Sequence, residues 1–150
     1  MKYSGIIKND FSSAPGVCVT VFVQGCPFRC HGCHNPETWS FNGGKEFNSS
    51  VLEEIFQALT ANNIHRNFCI MGGEPLCKEN LPLTALLVET VRTKFPNIKI
   101  YVWTGYVYEE LLKDSDTQLK NIISQINCLI DGPYIESERD VTLKMRGSRN

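Results

Sequence analysis

Val17-Cys18-Val19-Thr20-Val21-Phe22-Val23-Gln24-Gly25-Cys26-Pro27-Phe28-Arg29-Cys30-His31-Gly32-Cys33 decides how the chain reads. Its first seven residues are rich in β-branched side chains and predict a buried strand; the Gly, Pro and Cys that follow predict a loop running to about Gly44. Working outward, the same strand-then-loop pattern recurs. Phe68 to Met71 is a short apolar strand stopped by Gly72-Gly73-Glu74-Pro75, Ile98 to Trp103 runs into Thr104-Gly105, and Cys128 to Ile130 into Asp131-Gly132-Pro133. Helical periodicity fills the gaps. Leu52, Ile55, Phe56 and Leu59 form one stripe behind a capping box of Ser50 and Glu53. Leu83, Leu86, Leu87 and Val91 form a second stripe, ended by Pro96. Tyr106 to about Gln125 predicts a third helix with a break at Asp114-Ser115-Asp116. This β-α-β-α-β-α-β order predicts an α/β fold with a parallel sheet covered by helices. The glycine-rich and polar segments all follow strands, and in such folds strand ends share one side of the sheet, so they form one candidate site.

Composition narrows the classes. A chain of 150 residues, 42% of them hydrophobic, is the size of one domain, read here from residue 1 to 150, and is too short for a full eight-unit α/β barrel. Fifteen Lys and Arg against sixteen Asp and Glu leave no basic footprint for nucleic acid. The longest apolar stretch falls well short of the roughly 18 residues of a membrane span. The N-terminal MKYSGIIKNDFSS lacks a secretory hydrophobic region. Seven cysteines, an odd number and unevenly spaced, argue against a secreted disulfide framework and for reduced thiols in a cytoplasm.

Cys26, Cys30 and Cys33 place three thiols on one loop with spacers of three and two residues, a pattern suited to one soft metal centre. Three readings stand: a zinc site completed by His31 or His34, a redox pair Cys30 and Cys33, or a four-iron cluster with one iron left open. Cys18, Cys69 and Cys128 fall within strands and read as small buried thiols, as does Cys77 near the glycines. Trp39 and Trp103 read as core, with a bracketing role in the pocket as the alternative. From Arg139 onward four basic residues face Asp140, which reads equally as a docking tail or a solvated terminus.

The C-x3-C-x2-C loop after a first strand, joined to Gly72-Gly73-Glu74-Pro75 at the end of the next, resembles the radical S-adenosylmethionine (AdoMet) superfamily. Cys33-His34-Asn35-Pro36-Glu37-Thr38-Trp39, Trp103-Thr104-Gly105-Tyr106, Asp131-Gly132-Pro133-Tyr134 and Arg146-Gly147-Ser148 extend the likeness over nearly the whole chain to the activating proteins of anaerobic (class III) ribonucleotide reductase.

The resemblance implies an incomplete, open parallel β/α barrel holding one [4Fe-4S] cluster on Cys26, Cys30 and Cys33. AdoMet would sit on its open iron, and a 5′-deoxyadenosyl radical would take a hydrogen from a glycine of the reductase large subunit. It implies that the backbone of Gly32, Cys33 and His34 lies against the adenine. Gly72 and Gly73 would lie near the methionine, Glu74 beside its ammonium, and Thr104 against the ribose or carboxylate. A one-electron donor such as flavodoxin would complete the system. On this reading Gly73→Val keeps the cluster and loses AdoMet. Gly32 departs from the aromatic residue many members carry before the third cysteine, so shielding must come from Phe28, His34 or elsewhere.

Overall fold

The computed structural model describes residues 1–150. Six strands join one sheet in the order β3-β1-β2-β4-β5-β6. They are β1 (Lys2–Asp10), β2 (Cys18–Val23), β3 (Lys45–Glu46), β4 (Asn67–Gly72), β5 (Ile100–Trp103) and β6 (Cys128–Ile130). Four helices connect them: α1 (Ser49–Thr60), α2 (Leu81–Lys94), α3 (Tyr108–Leu111) and α4 (Thr117–Gln125). β2, β4, β5 and β6 are parallel, as expected from the alternating order.

The expectation of an all-parallel sheet is corrected at the other edge, where β1 lies antiparallel to β2 and β3 antiparallel to β1. β1 escapes a periodicity reading because it is mostly half-buried or exposed, with only Tyr3 and Asp10 buried. Its structure comes from pairing with a strongly apolar neighbour rather than from its own pattern. The sheet is therefore a mixed, mostly parallel one in an α/β domain.

Alternation along the strands sorts two faces. Val19, Val21 and Val23 of β2, Phe68 and Ile70 of β4, and Ile100 and Val102 of β5 pack with Ile55 and Leu59 of α1 and Leu83, Leu87 and Val91 of α2. Leu119 and Ile122 of α4 complete that core. The opposite face carries Cys18, Cys69 and Tyr101 with Ala14, bordered by Trp103, Cys128, Ile130 and Met145. The helices thus cover one face, whereas the connection before β2 and the C-terminal segment reach over the other. Cys18, Cys69 and Cys77 are buried free thiols, and Cys128 is half-buried.

Helix starts follow local chemistry. α1 begins two residues before Val51, and its cap is Asn48, not the expected Ser50: the Asn48 side chain accepts from Ser50 N (3.0 Å) and Val51 N (3.1 Å). Asn is as good a cap as Ser, and here it sits just after Phe47, whose burial fixes the entry of the chain. Asn48→Ala is expected to cost about 1 kcal/mol, read as a lower urea midpoint with an unchanged slope. The break foreseen at residues 114–116 is present. α3 stops at Leu111, and the Asp116 side chain caps α4 by accepting from Gln118 N (2.8 Å) and Leu119 N (3.0 Å). No helix is long and apolar enough to cross a membrane.

Candidate functional site

At the C-terminal ends of β2, β4, β5 and β6 lies a cavity of about 300 Å³, within the range of small-molecule sites. Cys26, Cys30, Cys33 and His34 from the first loop line it, with Gly72, Gly73 and Glu74 from the second and Thr104 from the third. Of the expected site residues only Gly32 does not line it. Met71, Trp103 and Ile130 form its floor from the helix-free face of the sheet. Trp39 and Trp103 both line it as well, the bracketing role that sequence left as the alternative.

Hydrogen bonds hold the cysteine loop at its base. Gly25 N donates to Thr38 O (2.6 Å) and Cys26 N to Trp39 O (3.0 Å), so the two ends of the loop meet. The Thr38 hydroxyl donates to Asn35 O at 2.7 Å. Within the loop Arg29 and Gly32 take positive φ values of 50° and 78°, which turn the chain sharply between thiols. All three thiols are half-buried and reach one cavity, but the loop by itself does not draw them into a closed metal-ligating set.

The donor set fits an iron–sulfur cluster. Backbone N–H groups face the sulfurs, from Phe28 and Arg29 toward Cys26 and from Asn35 toward Cys33 (3.4 Å), and such contacts stabilise cluster thiolates. Burial pushes the Cys26 thiol up, and the two N–H groups oppose that shift. Binding a metal must therefore displace its proton.

Glu74 is the electrostatic centre. It is 1% exposed, and its carboxylate accepts from Leu76 N (2.9 Å), the Thr104 hydroxyl (2.6 Å) and Gly105 N (2.7 Å). No Lys, Arg or His pairs with it. Burial raises its pKa, whereas the three donors favour the charged form. A carboxylate buried this way on a cavity wall has no cationic partner among the protein's own residues. The Thr104 hydroxyl is already engaged, donating to Glu74 and accepting from Tyr106 N (3.2 Å).

Gly73 answers to the cysteine loop. Its N–H donates to Val23 O at 3.0 Å and the next N–H, of Glu74, to Gly25 O at 2.8 Å. A Cβ at Gly73 would fall on the Gly25 carbonyl oxygen, and 2.8 Å from its carbon. The expectation that Gly73→Val leaves the cluster loop intact is thereby corrected, because the obstacle is loop backbone rather than ligand space. Asn80 reinforces the junction, its side-chain amide donating to Gly25 O (3.1 Å) and Glu74 O (3.0 Å).

Sequence reasoning missed the C-terminal wall. Asp131 to Tyr134, Arg146 to Ser148, and Asn150 line the cavity. Asn150 Nδ2 donates to Pro133 O (2.7 Å), Ile135 N to the Ser148 hydroxyl (3.2 Å) and Trp103 Nε1 to Met145 O (2.7 Å). The only signal for this was the pair of segments Asp131-Gly132-Pro133-Tyr134 and Arg146-Gly147-Ser148. Phe28 packs edge-on against Tyr106, ring centroids 4.8 Å apart, and His34 lies 5.9 Å from Tyr134.

Comparison with known proteins supplies the family. The family model described as a 4Fe-4S single cluster domain matches residues 13–150. Proteins named anaerobic ribonucleoside-triphosphate reductase-activating protein align along the whole chain. That of Salmonella typhi is 34% identical, with 96% of its length covered. That of Escherichia coli strain K12 is also 34% identical over 96% of its length, and that of Enterobacteria phage T4 34% over 91%. A cavity that gathers three loop thiols, joined to full-length likeness of this kind, makes the chain a member of the family of anaerobic ribonucleoside-triphosphate reductase-activating proteins, built on a 4Fe-4S single cluster domain.

Proposed function

We propose that this chain, as one domain with an open β/α barrel architecture in a cytoplasm, activates an anaerobic ribonucleotide reductase by making a glycyl radical on its large subunit. The observation that carries the reading is the placement of a buried, hydrogen-bonded carboxylate without a cationic partner, Glu74, on the same cavity wall as the three loop thiols. Cys26, Cys30 and Cys33 would hold the [4Fe-4S] cluster through three of its irons. When bound, the cluster and AdoMet would supply one-electron chemistry able to remove a hydrogen atom from a glycine Cα.

The chain's own residues bind and orient. Glu74 would take the ammonium of AdoMet on its Oε2, which accepts one hydrogen bond where Oε1 accepts two. Thr104 would act through Glu74 by fixing its rotamer. Gly72 and Gly73 would leave their backbone open beside the methionine, with Gly32 to His34 alongside the adenine. Met71, Trp103 and Ile130 would exclude water from the cavity floor. Selectivity would come from position, since only a C–H bond within a few ångströms of C5′ can react. Glycine suits a narrow mouth because it brings backbone without a side chain.

The test mixes the protein without oxygen with the reductase large subunit, AdoMet and a one-electron reductant such as reduced flavodoxin. The expected result is an electron paramagnetic resonance doublet from one α-hydrogen. Deuterating the reductase glycines should collapse the doublet and carry deuterium into 5′-deoxyadenosine. A doublet that forms only with pyruvate formate-lyase moves the substrate to that enzyme, and a colourless, iron-free protein that binds zinc removes the reading altogether.

A further inference from the structure

Gly32 leaves a gap in the cysteine loop, and the structure shows what occupies it. A Cβ built at Gly32 would fall on the Glu136 carboxylate and lie 3.2 Å from the Tyr134 ring. The same ring lies 3.1 Å from where a Cβ of Gly147 would be, and its centroid is 5.9 Å from that of His34. Tyr134 is therefore wedged between the cysteine loop and the chain's last residues. Its neighbours in sequence are pinned from both sides, Pro133 O by Asn150 Nδ2 at 2.7 Å and Ile135 N by the Ser148 hydroxyl at 3.2 Å. Two anchors so close to one residue leave its backbone little freedom.

The Tyr134 hydroxyl is buried on the cavity wall beside the Glu136 carboxylate, and no partner meets it in good hydrogen-bond geometry. Burial and the nearby Glu136 carboxylate both push the phenol's pKa above its ordinary value, so it remains a neutral donor. An unmade hydrogen bond of a buried hydroxyl is unfavourable, and a ligand able to complete it gains affinity.

We propose that Tyr134 replaces the side chain missing at Gly32: its ring clamps the cysteine loop, and its hydroxyl hydrogen-bonds the nucleoside part of AdoMet. This rests on the cavity being the cluster and AdoMet site. It assigns Tyr134 a positioning role toward the thiols and a direct contact with the cofactor. A donor placed after β6, rather than within the thiol loop, lets the loop stay narrow enough for Gly32 to pass beneath Glu136.

The experiment uses the reconstituted full chain. Iron content and retention under chelator challenge are measured, with equilibrium dialysis of radiolabelled AdoMet, for the native protein, Tyr134→Phe and Tyr134→Ala. Tyr134→Phe is expected to keep native iron content and retention while its AdoMet dissociation constant rises roughly two- to twelvefold, the value of one neutral hydrogen bond. Tyr134→Ala is expected to lose iron faster as well. Native affinity in Tyr134→Phe overturns the proposal, as does native iron retention in a folded Tyr134→Ala. Failure of the native protein to bind AdoMet overturns the underlying reading instead, which separates the two cases.

Discussion

Replacing Cys26, Cys30 or Cys33 singly with Ala is expected to drop iron from about four per chain to background and to remove AdoMet cleavage entirely. Three is the smallest protein ligand set that holds a four-iron cluster while leaving one iron free for a small molecule. None of the other four cysteines can substitute. Cys18, Cys69 and Cys128 lie on or beside the helix-free face, within the small cluster around Tyr101. Cys77 is buried, and its thiol donates to Glu74 O at 3.2 Å. Burial pushes that thiol up to about 12, away from the thiolate a metal needs. Removing Cys18 and Cys128 together should therefore leave iron unchanged, which absorbance near 400 nm and an iron assay will read. Iron that tracks Cys18 or Cys128 instead would move the centre away from the loop.

Gly73→Val is expected to remove iron incorporation and AdoMet binding together. Valine at this position must push against the Gly25 carbonyl, and that group is backbone already engaged by Glu74 N and by Asn80. Relief requires the base of the cysteine loop to move, and the two hydrogen bonds from Gly73 N and Glu74 N go with it. Gly105→Ala is the contrast, since the neighbour there is the Phe28 ring, a side chain able to turn aside. It should keep its iron. A folded Gly73→Val protein with native iron and native AdoMet affinity would show that the two loops do not depend on each other.

What the sequence showed best were features dictated by local chemistry. Val17 to Val23 followed by clustered thiols announces a buried strand and its loop. Two leucine-rich stripes announce α1 and α2, because core-facing periodicity is a property of contiguous residues. The motif glycines and Glu74 could be placed at strand ends for the same reason. β1 was hidden because its partner, not its own pattern, makes it a strand. The Ser50 cap was misplaced because Asn48 offers an equally good oxygen two residues earlier. The C-terminal wall was out of reach for a different reason: Asn150 meets Pro133, and Ser148 meets Ile135, through single long-range hydrogen bonds that leave no periodic trace. Tyr134 consequently read as part of a motif without a task.

The position of Asn150 on the cavity wall has a practical side. A fluorophore attached to its side chain would stand at the cavity mouth and obstruct a protein segment brought to the thiols. Asn62 and Asn63 offer a better attachment point. They are exposed, take left-handed backbone angles in a short turn, and precede β4 at the end opposite to the thiols. A label inserted there reports on the protein without blocking the entrance.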